Sequence, residues 1–230
     1  MNLIKEKTMI IRAVTIFLLL FSAAAYGYAQ DSQASEKTRT DLNAVLSRLE
    51  KKMSGIKTLK TGFVQEKELA VFKQKVILKG AVYIEKPARL AWHVNEPMKY
   101  IMVMSQDMIS QWDEDTNKVQ KISLSKNPAF EAAIGQMQKW FSGEYTPLLK
   151  EYEIVLLKEN PASLKFTPRA ETFAGNVIKS VTVDFRKDEQ YINRIFIEEK
   201  SGDTTNLIFI DTHLNIPLED SVWKVNPGVK

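Results

Sequence analysis

The chain has 230 residues, with 32 Lys and Arg against 28 Asp and Glu, a net charge of +4 and no cysteine. Without cysteine there can be no disulfide, no cysteine metal site, no cysteine nucleophile and no lipid-accepting cysteine behind an export signal. The charge excess is too small to point to nucleic acid as a principal partner, and the length suits one domain able to bury a real core.

Residues 1–29 read as a secretory signal peptide. Lys5, Lys7 and Arg12 form a basic start, and the apolar run from Ala13 to Phe21 is too short for a bilayer core of roughly 30 Å. Gly27-Tyr28-Ala29 offers a small-x-small cleavage site before Gln30, with Ala23-Ala24-Ala25 as a second. The competing reading is a membrane anchor. Removing the segment lowers the net charge from +4 to about +2 and leaves a single domain at 30–230.

The domain starts with an amphipathic helix at about 39–53. Leu42, Val45, Leu46, Leu49 and Met53 recur at helical spacing. Thr40 or Asp41 can cap the start, and Ser54-Gly55 can stop the helix. Period-two patterns follow. KTGFVQEKEL and QKVILKGAVYIEK, then LAWHV and YIMVM with Pro97 between them, then ISQWDE and VQKISL around Asp115-Thr116-Asn117, predict six strands. Helical spacing returns at 128–142, where Phe130, Ile134, Met137 and Phe141 form one stripe. Pro128 suits its first turn and Gly143 its end. A short helix is expected around Thr146–Lys150. YEIVLLK, SLKFTP, IKSVTVDF, INRIFIEE and TNLIFIDTHL then predict five more strands, with turns at Asn160-Pro161, Gly175-Asn176, Asp188-Glu189 and Ser201-Gly202-Asp203.

About eleven hairpin-linked strands without βαβ alternation exclude a parallel sheet. The expected fold is mainly β (α+β): one large, strongly curved antiparallel sheet with two or three helices. Its central strands are apolar on both faces. Tyr100, Met102 and Met104 share one side of their strand, and Ile101 and Val103 share the other. A sheet with one wet face would alternate. Helices can cover one face, and curling turns the other into a cup, which holds a ligand unless side chains fill it. The methionines between Met98 and Met108 suit an irregular apolar ligand, and they equally suit a filled core.

Catalytic chemistry is hard to place. The histidines are His93 and His213 alone, and no nucleophile-elbow, zinc-helix or phosphate-loop pattern is present. Asp113-x-Asp115-x-Asn117 begins like a calcium loop, yet Lys118 stands where glycine is needed and Leu124 where a bidentate glutamate belongs. Glu198 and Glu199 are adjacent on a strand and point to opposite faces. No catalytic residue, metal or cofactor is expected, and no polar group inside the cup beyond Lys86.

KPARLAWHVNEP (86–97) resembles the Lys/Arg-Pro…Trp…Pro signature of the LolA family, periplasmic carriers of outer-membrane lipoproteins. LKTGFVQEKEL, LKGAVYIEKP and SVWKVNPGV are similar to three further family segments, in the same order. The resemblance implies an unclosed antiparallel barrel whose helices form a lid over a hydrophobic cavity. It implies shielding of lipoprotein acyl chains, loading by an inner-membrane ABC lipoprotein-releasing complex, and unloading to an outer-membrane acceptor of similar fold. Strand parity then puts Val82, Ile84, Leu90, Trp92, Val94, Met102 and Met104 on the concave wall, with Phe130, Ile134, Met137 and Phe141 on the lid's underside. In the best-known members an arginine before this proline bonds the lid of the empty carrier. Lys86 stands there in this chain, without a planar fork, and Arg89 is the alternative latch. A glycolipid carrier, or a sensing module resembling RseB, is the alternative function on the same fold. A monomer is expected.

Overall fold

The structure, a computed structural model, describes residues 36–71, 74–87, 89–105, 107–126, 135, 138, 140–170 and 172–225. Residues 1–29, expected to be a signal peptide, and Phe130, Ile134 and Met137, expected on the lid's underside, lie outside the described residues.

Eleven antiparallel strands form one sheet. They are β1 (Thr58–Leu69), β2 (Gln74–Glu85), β3 (Arg89–Glu96), β4 (Tyr100–Ser105), β5 (Met108–Asp113), β6 (Lys118–Ser123), β7 (Tyr152–Glu159), β8 (Ala162–Pro168), β9 (Ile178–Phe185), β10 (Ile192–Glu199) and β11 (Thr204–Leu214). The order is β6-β5-β4-β3-β2-β1-β11-β10-β9-β8-β7. Two meanders, β1–β6 and β7–β11, are therefore joined where β1 pairs with β11. β6 and β7 remain as edges, so the barrel is unclosed. Each predicted strand is present.

Alternation sets which residues face inward. On β1, Leu59, Thr61, Phe63, Gln65 and Lys67 are buried, and the residues between them are not. Central strands bury the opposite face as well, as Ala91 and Val103 show. The cover there comes from a 3-10 helix, Asp220–Trp223. The carbonyl of Val222 meets His93 Nε2 at 2.9 Å, and the guanidinium of Arg89 lies 4.1 Å over the Trp223 ring. Ala91 sits between these two residues on the same face.

Helix α1 (Glu36–Ser54) buries Leu42, Val45, Leu46, Leu49 and Met53, the predicted stripe. It is tied to the β9–β10 turn by Glu189, whose carboxylate accepts from Arg48 Nε at 3.0 Å, Lys52 Nζ at 3.1 Å and the Ala162 amide at 2.9 Å. The expected helix at 128–142 is helical at 135, 138 and 140–142, its described positions. Gly143 follows with φ 82°, a value glycine adopts without strain. The short helix at Thr146–Lys150 is of 3-10 form.

One local reading changes and one holds. The expected Gly175-Asn176 turn is instead part of a five-residue helix α2, Phe173–Val177, capped by Thr172 Oγ1 accepting from the Gly175 amide at 3.0 Å. The Asp113–Asn117 segment is a hairpin turn: Asp113 accepts from the Thr116 amide at 2.9 Å, and Asn117 (φ 50°) accepts from Trp112 Nε1 at 3.0 Å.

Candidate functional site

The concave face of β2–β4 forms an apolar wall, and on β5 the buried Gln111 opposes Met102 and accepts from the Tyr100 hydroxyl at 3.1 Å. Across β2 and β3, Val82 opposes Trp92, Ile84 opposes Leu90 and Gly80 opposes Val94. Across β3 and β4, Trp92 opposes Met102 and Leu90 opposes Met104. Val82, Ile84, Leu90, Trp92, Val94, Met102 and Met104 are all buried on this one face. Met108, the last of the methionine group, is exposed.

Gly80 lets strands and rings approach closely here. A Cβ on it would fall 1.8 Å from the His93 carbonyl oxygen and 2.8 Å from the Phe63 ring. Phe63 in turn packs against Trp92, with ring centroids 4.6 Å apart.

The other half of the concave face, β7–β11, lies under aromatic side chains. Trp140 meets Tyr152 and Phe166 edge-on at 5.3 and 4.5 Å. Tyr145 meets Phe185 at 5.6 Å, and Phe141 meets Phe209 at 5.8 Å. Phe141, the described member of the predicted lid stripe, is therefore buried against the sheet. From the same helical stretch Gln138 Nε2 reaches Met104 Sδ at 3.8 Å.

Lys86 joins these parts. Pro87 follows it, and its backbone amide donates to the Lys57 carbonyl at 2.9 Å, which fixes it beside the start of β1. Its Nζ donates to the carbonyls of Ser142 at 2.7 Å and Met53 at 3.4 Å. Both acceptors lie at helix C-termini, where unpaired carbonyls carry partial negative charge. Burial holds the ammonium pKa below its usual value, and Glu144 opposes that shift. Gly143 closes the junction: a Cβ there would lie 2.7 Å from Met53 Cβ. Arg89 lies elsewhere. Its Nη1 donates to Glu85 Oε2 at 2.8 Å across the β2–β3 pair, on the face that carries Trp223.

The concave face also holds polar residues that the sequence reading did not place there. Lys67 Nζ donates to Glu199 Oε1, both buried. Gln65 shares this face of β1, and Thr205 opposes Lys67 on β11. The expectation that only Lys86 brings polarity into the cup is corrected accordingly. The period-two pattern did carry a signal, because Gln65 and Lys67 follow Phe63 at alternate positions. Among the described residues no group of His, Asp and Glu is arranged to hold a metal ion, and no helix is long and apolar enough to cross a membrane.

The chain is similar to several known proteins. A protein of Pseudomonas entomophila described as an outer-membrane lipoprotein carrier protein is 25% identical over 213 residues, covering 91% of this chain and 93% of its own length. A protein of Pseudomonas fluorescens with the same description is 24% identical over 145 residues, 63% of this chain and 66% of its own. Among solved structures, a LolA superfamily protein from Nitrosomonas europaea aligns over 79% of this chain and 96% of its own, at 12% identity and a TM-score of 0.42. The Pseudomonas aeruginosa MucA/MucB complex aligns over 79% of this chain and 60% of its own, at 14% identity and a TM-score of 0.47. The family model described as "Outer membrane lipoprotein carrier protein LolA" matches residues 54–226, from the end of α1 through the C-terminal 3-10 helix, and the chain belongs to that family.

Proposed function

We propose that this chain is a periplasmic carrier that shields the acyl chains of lipoproteins on their way from the inner to the outer membrane. It receives them from an inner-membrane ABC releasing complex and passes them to an outer-membrane acceptor. It performs no catalysis. The observation that carries the reading is the seven-residue apolar wall on β2–β4, with Lys86 at its edge bonded to carbonyls of two helical segments.

A buried acyl chain gains roughly 0.8 kcal/mol per CH₂, so sixteen carbons prefer an apolar site over water by about 12 kcal/mol. The wall is already shielded from solvent, so cargo enters by displacing part of its cover. The helical residues 140–142 belong to the part of the cover that moves, and Lys86 is its latch. Adaptable methionines at 102 and 104 accept chains of differing packing.

The test is to export the tagged protein, purify it from the periplasm and identify what comes with it by mass spectrometry. Acylated proteins are expected. Free phospholipid or glycolipid in their place would assign the cavity to a different cargo. A preparation free of any lipid, and unable to take up a triacylated lipopeptide in vitro, would refute the reading.

A further inference from the structure

The polar group on the concave face lies at the opposite end of β1 from Lys86, about 30 Å along the strand at 3.3 Å per residue. It sits beneath the β1–β2 and β10–β11 turns, which are joined by the Ala70 amide donating to Asp203 Oδ1 at 2.9 Å. Gln65, Lys67, Glu199 and Thr205 are 3%, 1%, 2% and 0% exposed. Their strand neighbours are apolar: Leu78 and Leu207 oppose Gln65, and Ile197 opposes Thr205.

Lys67 and Glu199 satisfy each other's charge. Among the described residues, Gln65 Nε2 and Thr205 Oγ1 have no hydrogen-bond partner. Leaving a buried donor unmade costs about 1–3 kcal/mol, and valine would fill the Thr205 site at nearly the same volume without that cost. A purely structural ion pair has no use for two idle polar groups beside it. Both can donate, so they fit a ligand that accepts. An anionic headgroup would face the Glu199 carboxylate, whereas a neutral carbonyl would not.

We infer that Gln65 and Thr205, beside the Lys67–Glu199 pair, form a polar subsite for the ester or amide carbonyls at the head of an acyl chain. The chain would then run along the apolar wall toward Lys86, and the rest of the cargo would leave near the β1–β2 and β10–β11 turns. This inference rests on the carrier reading and gives the cargo an orientation.

The experiment compares two probes on the purified protein. One is a lipopeptide with two ester-linked palmitoyl chains, and the other is its counterpart with two ether-linked hexadecyl chains. The wild-type protein should bind the ester probe about tenfold more tightly, as expected for one or two hydrogen bonds. Thr205→Val and Gln65→Leu should each erase most of that preference by weakening ester binding alone. Their melting temperatures without ligand should hold or rise, because each loses an unpartnered polar group. The same ester preference with dipalmitoylglycerol and its diether would extend the subsite to lipid esters in general and supports it equally. Equal affinity of the wild type for both probes overturns the subsite and leaves the carrier reading standing. Equal loss of both probes in the variants, with lower melting temperatures, shows a structural role and overturns it too. Failure of the wild type to bind either probe would overturn the carrier reading along with the subsite.

Discussion

Replacing Lys86 tests how much its ammonium adds to the aromatic packing that holds the helical cover. The bond to the Ser142 carbonyl, at 2.7 Å, is the strong one, and a charge-assisted hydrogen bond is worth about 1.5–3 kcal/mol. The bond to Met53, at 3.4 Å, is near the limit of useful geometry and adds little. Placement at two helix C-termini contributes some tenths of a kcal/mol more. Against this stands desolvation, which outweighs Glu144 and lowers the ammonium pKa. A hydrogen bond of this kind is worth on the order of 1 kcal/mol net, or roughly a fivefold shift between docked and released cover. Hydrogen exchange followed by mass spectrometry reads this directly. In Lys86→Met, amides at 140–150 should exchange about fivefold faster, and those of β2 and β3 should not change. Lys86→Arg presents a planar fork able to hold both carbonyls, so it should slow the same amides and slow lipopeptide uptake. Identical exchange in all three proteins, or acceleration spread evenly over the sheet, would refute the latch.

Three further outcomes follow from the geometry. Met102→Asp and Leu90→Asp should each weaken lipopeptide binding by a hundredfold or more, since an unpaired carboxylate in an apolar wall costs several kcal/mol. Ile101→Asp, on the half-exposed opposite face, should not, and equal losses in all three would refute the face assignment. Burial acts to raise the Glu189 pKa, and the hydrogen bonds from Arg48, Lys52 and the Ala162 amide overcome it, leaving the carboxyl below its usual 4.5. Its contribution is therefore present above pH 4.5 and lost as pH falls through the lowered value. Glu189→Gln should lower stability by about 2 kcal/mol at pH 7 and flatten the acid limb of the urea denaturation profile. His93 is likewise held below 6.5, first by burial and against the Val222 carbonyl bond. The fold binds its proton less readily than the unfolded chain, so stability from this site is complete above pH 6.5 and declines as pH falls through the lowered pKa. The melting temperature of His93→Gln should depend less on pH between 5 and 7 than that of the wild type.

The strands and α1 were legible because their signals are local. Alternation along VYIE and LAWHV, and the Leu42–Met53 spacing, need no distant partner to be interpreted. Parity then placed Val82, Trp92 and Met102 on one face before any register was known, and the pairing Val82–Trp92–Met102 agrees. Other features depend on residues far apart in the chain. Lys67 looks like an exposed strand lysine until Glu199, 132 positions later, meets it inside the barrel. The Glu198–Glu199 step also carries a register shift, so adjacency alone could not show which carboxylate turned inward. α2 has five residues, too few for helical periodicity, and Gly175-Asn176 reads as a turn. Helices were expected to cover one face of β3 and β4, but which residues would do so was not legible, because Val222 and Trp223 arrive from the far end of the chain.

Affinity for cargo in such a carrier is a difference between two sets of contacts. A sixteen-carbon chain brings about 12 kcal/mol of transfer energy, enough to make release into water very slow, and an acceptor must still be able to take it. On the proposed reading, a wall residue already buried under the cover would contribute less on loading, because it would trade one apolar neighbour for another. Val82, Met102 and Met104 are each at most 2% exposed, so loading replaces self-contact with cargo contact over most of the wall. Such an exchange would keep the net binding energy well under the transfer energy, and the cover would compete with cargo throughout transit. A latch of about 1 kcal/mol would suit that balance: a stronger one would oppose loading, and its loss would expose the apolar wall about fivefold more often.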